Sequence, residues 1–445
     1  MGTPLEQIRQ KTERFRVSKT GGNALAIGID LGTSGARAVA MTPSFDIVAQ
    51  GSARLAEFGP DPRDPSIWWK AVERALIEAL AGIDRTSVHA IAIDATSGTL
   101  LPVNGDGEPL AAPLMYNDRV EDDELLARIR AVIPAESGAH GATSGLAKAL
   151  RFQSVPGVTK ILHQADWIAG RLAGHFGTTD ENNALKTGYD PVERLWPEWI
   201  AATGLDMDLL PRVVAPGAPV ETIAPDMARA FGLGEEVVIV AGTTDGCASF
   251  LATGADRPGD GVTALGSTLT LKLLCDRPIF APDYGVYSHR INGMWLAGGA
   301  SNSGGKVLSH FFSAEEIVRL SAAIDPAVLT GLHFYPLLEP GERFPIFDPA
   351  FAPRLQPRPA SDADFLKAMF EGMAAIEKRG FDRLAGLGAD PLQSVRSVGG
   401  GAANAQWNAI RQRELQVPLL PAQSTEAAAG AARLALGGLQ AVGDL

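Results

Sequence analysis

A carboxylate beside glycine and hydroxyl residues is a device for handling phosphate, and parts of it recur along the chain. In Asp30-Leu-Gly-Thr-Ser-Gly35 an Asp closes an apolar run, and a turn of Gly32, Thr33 and Ser34 follows. Such a turn offers a carboxylate to Mg²⁺ and backbone N–H and side-chain O–H donors to phosphate oxygens. Gly266-Ser267-Thr268 repeats the turn without the acid, and Gly400-Gly401 supplies a third. Any one of them is equally an ordinary turn; together they point to a polyphosphate. Asp245, in Gly-Thr-Thr-Asp245 between a strand and a small-residue helix, is the candidate general base. A carboxylate at a helix N-terminus, near solvent, can orient a hydroxyl and take its proton as the oxygen attacks phosphorus. The same residue also reads as a plain N-cap of the helix that starts near Gly246, and it can do both.

Other phosphate and metal signatures fail. Gly299-Ala-Ser-Asn-Ser-Gly-Gly-Lys306 looks like a Walker loop, but the Lys is one residue late and Val307 follows where Ser or Thr is needed. Gly399-Gly-Gly-Ala-Ala-Asn404 lacks the third glycine of a dinucleotide fingerprint and lies too near the C-terminus. The seven histidines form no HExxH or similar metal pair.

The elements that must position these residues alternate strand and helix. Ala24–Asp30 and Ala36–Met41 read as two strands joined by the first turn, and Val262–Leu274 repeats strand, turn and strand around Gly266-Ser267-Thr268. Ile67–Leu80 has helical periodicity. Val88–Asp94 is a buried-type strand that again ends in an Asp and a small-residue turn, after which Leu100–Val103 resumes strand character. Glu236–Gly242 is the strand that leads into Asp245 and a helix over 246–253. Residues 121–225 read as helices and irregular loops, with Trp167, Trp196 and Trp199 as packing anchors. Residues 338–359, rich in Pro and charge, predict a long structured loop. A helix over Asp362–Leu387, a strand over Ser394–Val398, a helix opened by Gly399–Gly401 and an Ala-rich closing helix over Thr425–Leu436 complete the chain.

Each half therefore opens with a β-turn-β unit and mixes strands with helices, an α/β pattern. Two such turns facing each other across a cleft would clasp a nucleotide's phosphates from both sides. The break at Pro258-Gly259-Asp260-Gly261 places the domain boundary nearby, giving a flexible extension over 1–22 and domains over 23–256 and 257–445.

Composition narrows the partners. A chain of 445 residues suits two domains. With 46% hydrophobic and 20% charged residues it has no case for global disorder. A net charge of −12 disfavours nucleic acid and anionic membrane as partners, yet leaves room for a phosphate site built from Mg²⁺ and backbone N–H groups. No apolar run approaches the roughly 20 residues that span a bilayer. Cys247 and Cys275 each lie in an apolar run, with neither disulfide nor zinc spacing, which fits a reducing, cytoplasmic compartment. The residues through Thr20 are polar and basic, without the apolar centre of a secretory signal, and Glu6 and Glu13 disfavour a transit peptide. Oligomeric state is not legible, and a homodimer stays open.

In combination the motifs resemble a known family. Gly28-Ile-Asp-Leu-Gly-Thr-Ser34, Ala241-Gly-Thr-Thr-Asp-Gly246, Leu265-Gly-Ser-Thr268 and Gly399-Gly-Gly-Ala402, with Trp407 and Pro418, are similar in order and separation to the FGGY carbohydrate kinases. The resemblance runs from about Ala24 to Leu436. It implies two ribonuclease-H-like domains of the actin/hexokinase superfamily around a central cleft, an N-terminal domain for sugar and a C-terminal domain for ATP. Within the family the chain is more similar to the D-ribulose kinases of plants and cyanobacteria. That likeness is carried by Asp94-Ala-Thr-Ser-Gly-Thr99, Pro113-Leu-Met-Tyr-Asn117, His163-Gln-Ala-Asp-Trp167, Asn183-Ala-Leu-Lys-Thr-Gly-Tyr189, Gly298-Gly-Ala-Ser-Asn302 and Gly341-Glu-Arg-Phe-Pro-Ile346.

Carried over, the resemblance makes Asp245 the base, Asp30 the partner of the sugar hydroxyls and of Mg²⁺ through water, and Thr33 a support for the moving phosphate. It places Ser97 on the ketose, Gly266, Ser267 and Thr268 on phosphates, and Gly400, Gly401, Asn404 and Trp407 around the adenosine. Ordinary xylulokinases carry a Met-His sugar-contact motif where Thr96-Ser97-Gly98 stands here, which weakens D-xylulose as acceptor. The expected activity is phosphorylation of D-ribulose to D-ribulose 5-phosphate by MgATP, with closure of the domains excluding water. Rival readings are the same chemistry on D-xylulose or another polyol, and an actin-like protein that uses ATP as a conformational switch.

Overall fold

A computed structural model describes residues 24–443, so the expected extension over 1–22 lies outside the described residues. The chain divides into two compact units. The first runs to Ala252 and takes in Arg290–Asn292 and the chain from Glu426 onward; the second comprises Thr253–His289 and Gly293–Thr425.

In the first unit, β1 (Leu25–Leu31), β2 (Gly35–Met41) and β3 (Ile47–Arg54) form an antiparallel meander. Helix α1 (Pro65–Ala81) follows because Asp64 accepts the Ser66 N–H as N-cap, Pro65 presets the first helical φ, and Trp68, Ala71, Val72, Ala75, Leu76 and Ala79 make one buried stripe. β4 (Val88–Ala95) then returns parallel to β1, the crossover connection that such pairing requires. An insertion follows, made of β5 (Leu100–Val103), α2 (Gly145–Phe152), β6 (Lys160–His163), α3 (Gln164–Ala173), β7 (Thr178–Asp180) and β8 (Arg212–Val214). β9 (Pro219–Thr222) pairs antiparallel with β10 (Val238–Thr244), and β10 lies parallel to β4. The sheet order is β3-β2-β1-β4-β10-β9. Helix α4 (Asp245–Ala252) leaves the end of β10.

A second six-stranded sheet repeats the plan. β11 (Asp260–Leu265), β12 (Leu269–Cys275), β13 (His289–Ile291) and β14 (Met294–Ser301) are followed by α5 (Gly305–Phe311), the long α6 (Asp362–Gly386), β15 (Ser394–Val398), α7 (Ala405–Leu415) and β16 (Leu419–Leu420). Its order, β13-β14-β12-β11-β15-β16, again places an antiparallel meander beside strands parallel to the first. Both cysteines are buried and unpaired with each other.

Two expectations shift. The division falls after Ala252, not after residue 256, and the closing helix α8 (Ala427–Gly443) packs with the first unit instead of the second. The reason is close approach: α8 lies on β1 and α4, and a Cβ at Gly28 would sit 1.9 Å from the Ala428 carbonyl oxygen. A Cβ at Gly430 would be equally close to the carbonyl oxygen of Ala248. The Walker-like stretch 299–306 is the end of β14 and the start of α5.

Candidate active site

Parallel strands present their carboxyl ends along one edge of a sheet, where α/β proteins place ligands. On the first sheet that edge carries three acids. Asp30 of β1 is in register with Asp94 of β4, Asp94 is in register with Thr243 of β10, and Asp245 follows as the first residue of α4. Asp30 and Asp245, 215 positions apart, thus converge on opposite sides of Asp94 and influence its charge.

The three acids are not equivalent. Asp94 is 0% exposed and Asp30 6%. Neither Asp94 oxygen has a hydrogen-bond partner, and the Asp30 and Asp245 carboxylates act on it electrostatically. Burial, reinforced by the Asp30 and Asp245 charges, pushes Asp94 well above the usual carboxylate range. Burial raises Asp30 as well, but the neighbouring Asp94 and the Arg37 guanidinium, 3.4 Å away, act against it. Burial thus presses harder on Asp94 than on Asp30 toward the protonated form. Asp245 is half-buried and its Oδ1 accepts the Gly246 N–H at 2.7 Å. It lies inside the helix's first turn, where the dipole favours its charge, and is not the residue before it.

Thr33 and Ser34 are exposed at the tip of the β1–β2 hairpin, beyond Gly32, whose N–H donates to Gly35 O at 3.0 Å. They border an open depression of ≈ 920 Å³ that continues past Arg54 and Glu57 to Pro62. At the end of β4, Ser97 carries a buried hydroxyl with no partner, while Thr96 donates through both N–H and Oγ1 to Gln164 Oε1, at 3.3 and 2.6 Å.

In the second unit, Gly266-Ser267-Thr268 joins β11 to β12. The Gly305 N–H donates to Gly266 O at 2.8 Å and the Lys306 N–H to Ser267 O at 3.0 Å, so the Walker-like residues back this turn. Gly304, at φ 141°, allows the contact, since a Cβ there would meet Thr268 backbone at 2.7 Å. Gly400 is exposed and open, and Gly399, at φ 84°, turns the chain out of β15. Asn404 caps α7, its Oδ1 accepting the Trp407 N–H at 2.9 Å, and its Nδ2 donates to Ser321 Oγ at 2.8 Å. Trp407 corrects an expectation. Only 2% exposed and stacked on Phe370 with centroids 4.9 Å apart, it has no face for an adenine. Its ring supports Gly401, where a Cβ would meet it at 2.6 Å.

Asp94 and Gln164 were missed as site residues. A second strand ending in Asp was visible; that it is the neighbour of the first was not. Among the described residues no cluster of three His, Cys, Asp or Glu side chains forms a metal cage. A single carboxylate working through water, with phosphates completing the shell, is the usual manner of Mg²⁺, and Asp30 fits that chemistry. Among the described residues no helix is long and apolar enough to cross a membrane.

The duplicated sheet plan is that of the actin/hexokinase class. A xyloylose kinase structure from Brucella ovis superposes with TM-score 0.80 at 23% identity, covering 94% of this chain and 91% of that one. A Plasmodium falciparum glycerol kinase with ADP gives 0.76 at 17%, over 95% and 91%. In sequence, the xylulose kinase of Streptomyces rubiginosus is 26% identical, covering 93% of this chain and 88% of that protein. Residues 150–252 match the N-terminal domain, and 259–438 the C-terminal domain, of the FGGY family of carbohydrate kinases. The chain belongs to that family.

Proposed function

We propose that the protein phosphorylates a ketopentose with MgATP, and that D-ribulose is its acceptor. The observation that carries this is the row of Asp30, Asp94 and Asp245 at the ends of three adjacent strands. Asp245 would orient the terminal hydroxyl of the sugar and accept its proton as the oxygen bonds to the γ-phosphorus and the bond to the ADP oxygen breaks. Asp30 would bind sugar hydroxyls and the water shell of the nucleotide's Mg²⁺. Thr33, with Gly32 and Ser34, would steady the transferred phosphate. Gly266, Ser267 and Thr268 would hold phosphates, and Gly400, Gly401 and Asn404 would flank the adenosine. The assignment gives the unit of Asp30 to the sugar and that of Gly266 to ATP. Mg²⁺ supplies charge neutralisation on the phosphates.

The Thr96-Ser97-Gly98 turn stands where xylulokinases carry Met-His, which weakens D-xylulose as acceptor, although one Ser hydroxyl does not by itself choose an epimer. D-Xylulose is the second reading, supported by the names of the sequence relatives. A panel of ketoses and polyols in a coupled ADP assay tests both. D-Ribulose should give the highest kcat/KM; a preference for D-xylulose overturns the first choice. ATP hydrolysis indifferent to every sugar would instead support the nucleotide-switch reading.

A further inference from the structure

The turn after β4 is held on every side but one. Thr96 is tied to Gln164, as above, and Thr96 Oγ1 also bonds Thr99 Oγ1 at 2.7 Å. Thr99 Oγ1 accepts the Tyr116 N–H at 3.0 Å. Lys148, from α2, reaches the same turn, where its Nζ donates to Gly98 O and to Met115 O, each at 2.7 Å. Gly98 sits at φ 83°, a conformation that a side-chain-bearing residue would leave. Of the three hydroxyls in the turn, two are bonded internally and Ser97 Oγ is not.

Stability does not account for Lys148. Its side chain is 0% exposed, and both of its hydrogen-bond acceptors are neutral carbonyls. Burial pulls its ammonium down to about 8, with the Asp118 charge only partly opposing. A buried cation without a carboxylate in contact costs folding energy that an apolar chain of the same length would not. What it does accomplish is geometric: one point charge fixes two carbonyls, one on each side of the 98–115 gap. Gln164 fixes the other end of the turn from α3.

We propose that Lys148 and Gln164 are positioning residues for acceptor recognition, which pin the 96–99 turn so that Ser97 Oγ meets the sugar already oriented. A preformed hydroxyl discriminates between acceptors because none of the binding energy goes into ordering the turn. The proposal rests on the ketopentose reading and deepens it.

Lys148→Met, which keeps the stem and removes the donors, tests it against wild type with D-ribulose and D-xylulose. The KM for the sugar should rise on the order of 10-fold, the loss of one well-placed hydrogen bond, while the KM for ATP stays within about twofold. Selectivity between the two ketoses should narrow. Unchanged sugar kinetics, or sugar and ATP KM rising together, overturns it. Gln164→Met takes the same assay should the first variant not fold. Hydrogen exchange on sugar-free wild type is independent of both: the 95–100 peptide should be strongly protected, and free exchange there removes the basis for a pinned turn. If wild-type protein shows no sugar-dependent ADP release, the ketopentose reading fails, and the exchange result alone decides whether the turn is pinned.

Discussion

The two units use one sheet plan and differ in what stands at the strand ends. Where the first has Asp30 and Asp94 in register at adjacent strand ends, the second has Ala264 and Val398, followed by glycine turns. At those strand ends Asp30 has the Arg37 guanidinium at 3.4 Å, whereas buried Glu181, elsewhere in the first unit, is closed by Arg194 at 2.7 Å. The second encloses Glu377 with Arg411 in a bidentate pair, both bonds 2.7 Å, and adds Thr263, Ser397 and Asn408 around it. Neutralised charge braces the elements that carry the Gly399–Gly401 turn. Carboxylates set at the strand ends, as Asp30 and Asp245 are, stand where a reaction can use them. The first kind should matter to folding and the second to rate.

That contrast breaks most readily at Asp245. Asp245→Asn should lower kcat by about 10²- to 10⁴-fold, the usual worth of a general base, with the melting temperature and ATP affinity nearly unchanged. Near-normal turnover would remove Asp245 as base. Arg411→Met should do the reverse. Leaving Glu377 buried and unpaired costs about 3–5 kcal/mol, visible in urea unfolding, while kcat of the folded fraction holds. A large loss of kcat at full folding would dissolve the division between bracing and reactive charge.

A pH series sharpens it. Asp180, buried near Asp166, is raised to about 7, first by burial and then by that neighbour. Between pH 4 and 7 the native state therefore keeps a proton that the unfolded chain has released, so this group's contribution falls as pH rises, by at most about 1.4 kcal/mol per unit. Asp180→Asn should remove that slope from a series of thermal melts; an identical slope would show that Asp180 is charged in the native state. Gly28→Ala tests the close approach of α8: the added methyl would lie 1.9 Å from the Ala428 carbonyl oxygen, so it should cost about 3 kcal/mol or more in the same unfolding assay.

Much of this was legible in the sequence, and what was not has a common cause. The β1–β2 and β11–β12 hairpins follow from apolar runs on either side of Gly, Ser and Thr, and α1 from its stripe and its cap. β3 was not foreseen because its face is largely exposed, and β14 was obscured by the glycines that resemble a nucleotide loop. The rest depends on neighbours. Asp94 gains its meaning from the strand beside it, Lys148 from carbonyls 50 and 33 residues away, and Trp407 from the ring beneath it. Composition and period report what a residue prefers, not what it will touch.

Helix α8 sets an order of assembly. Its residues are made after the whole second unit, yet they cover β1 and α4, which carry Asp30 and Asp245. The first unit thus waits, with a bare sheet face, until the ribosome has passed residue 426. During synthesis the first sheet's strands are complete by Thr244 but the helix that covers them comes last, so a chain cut short before α8 would lose the acids' support while keeping the glycine turns.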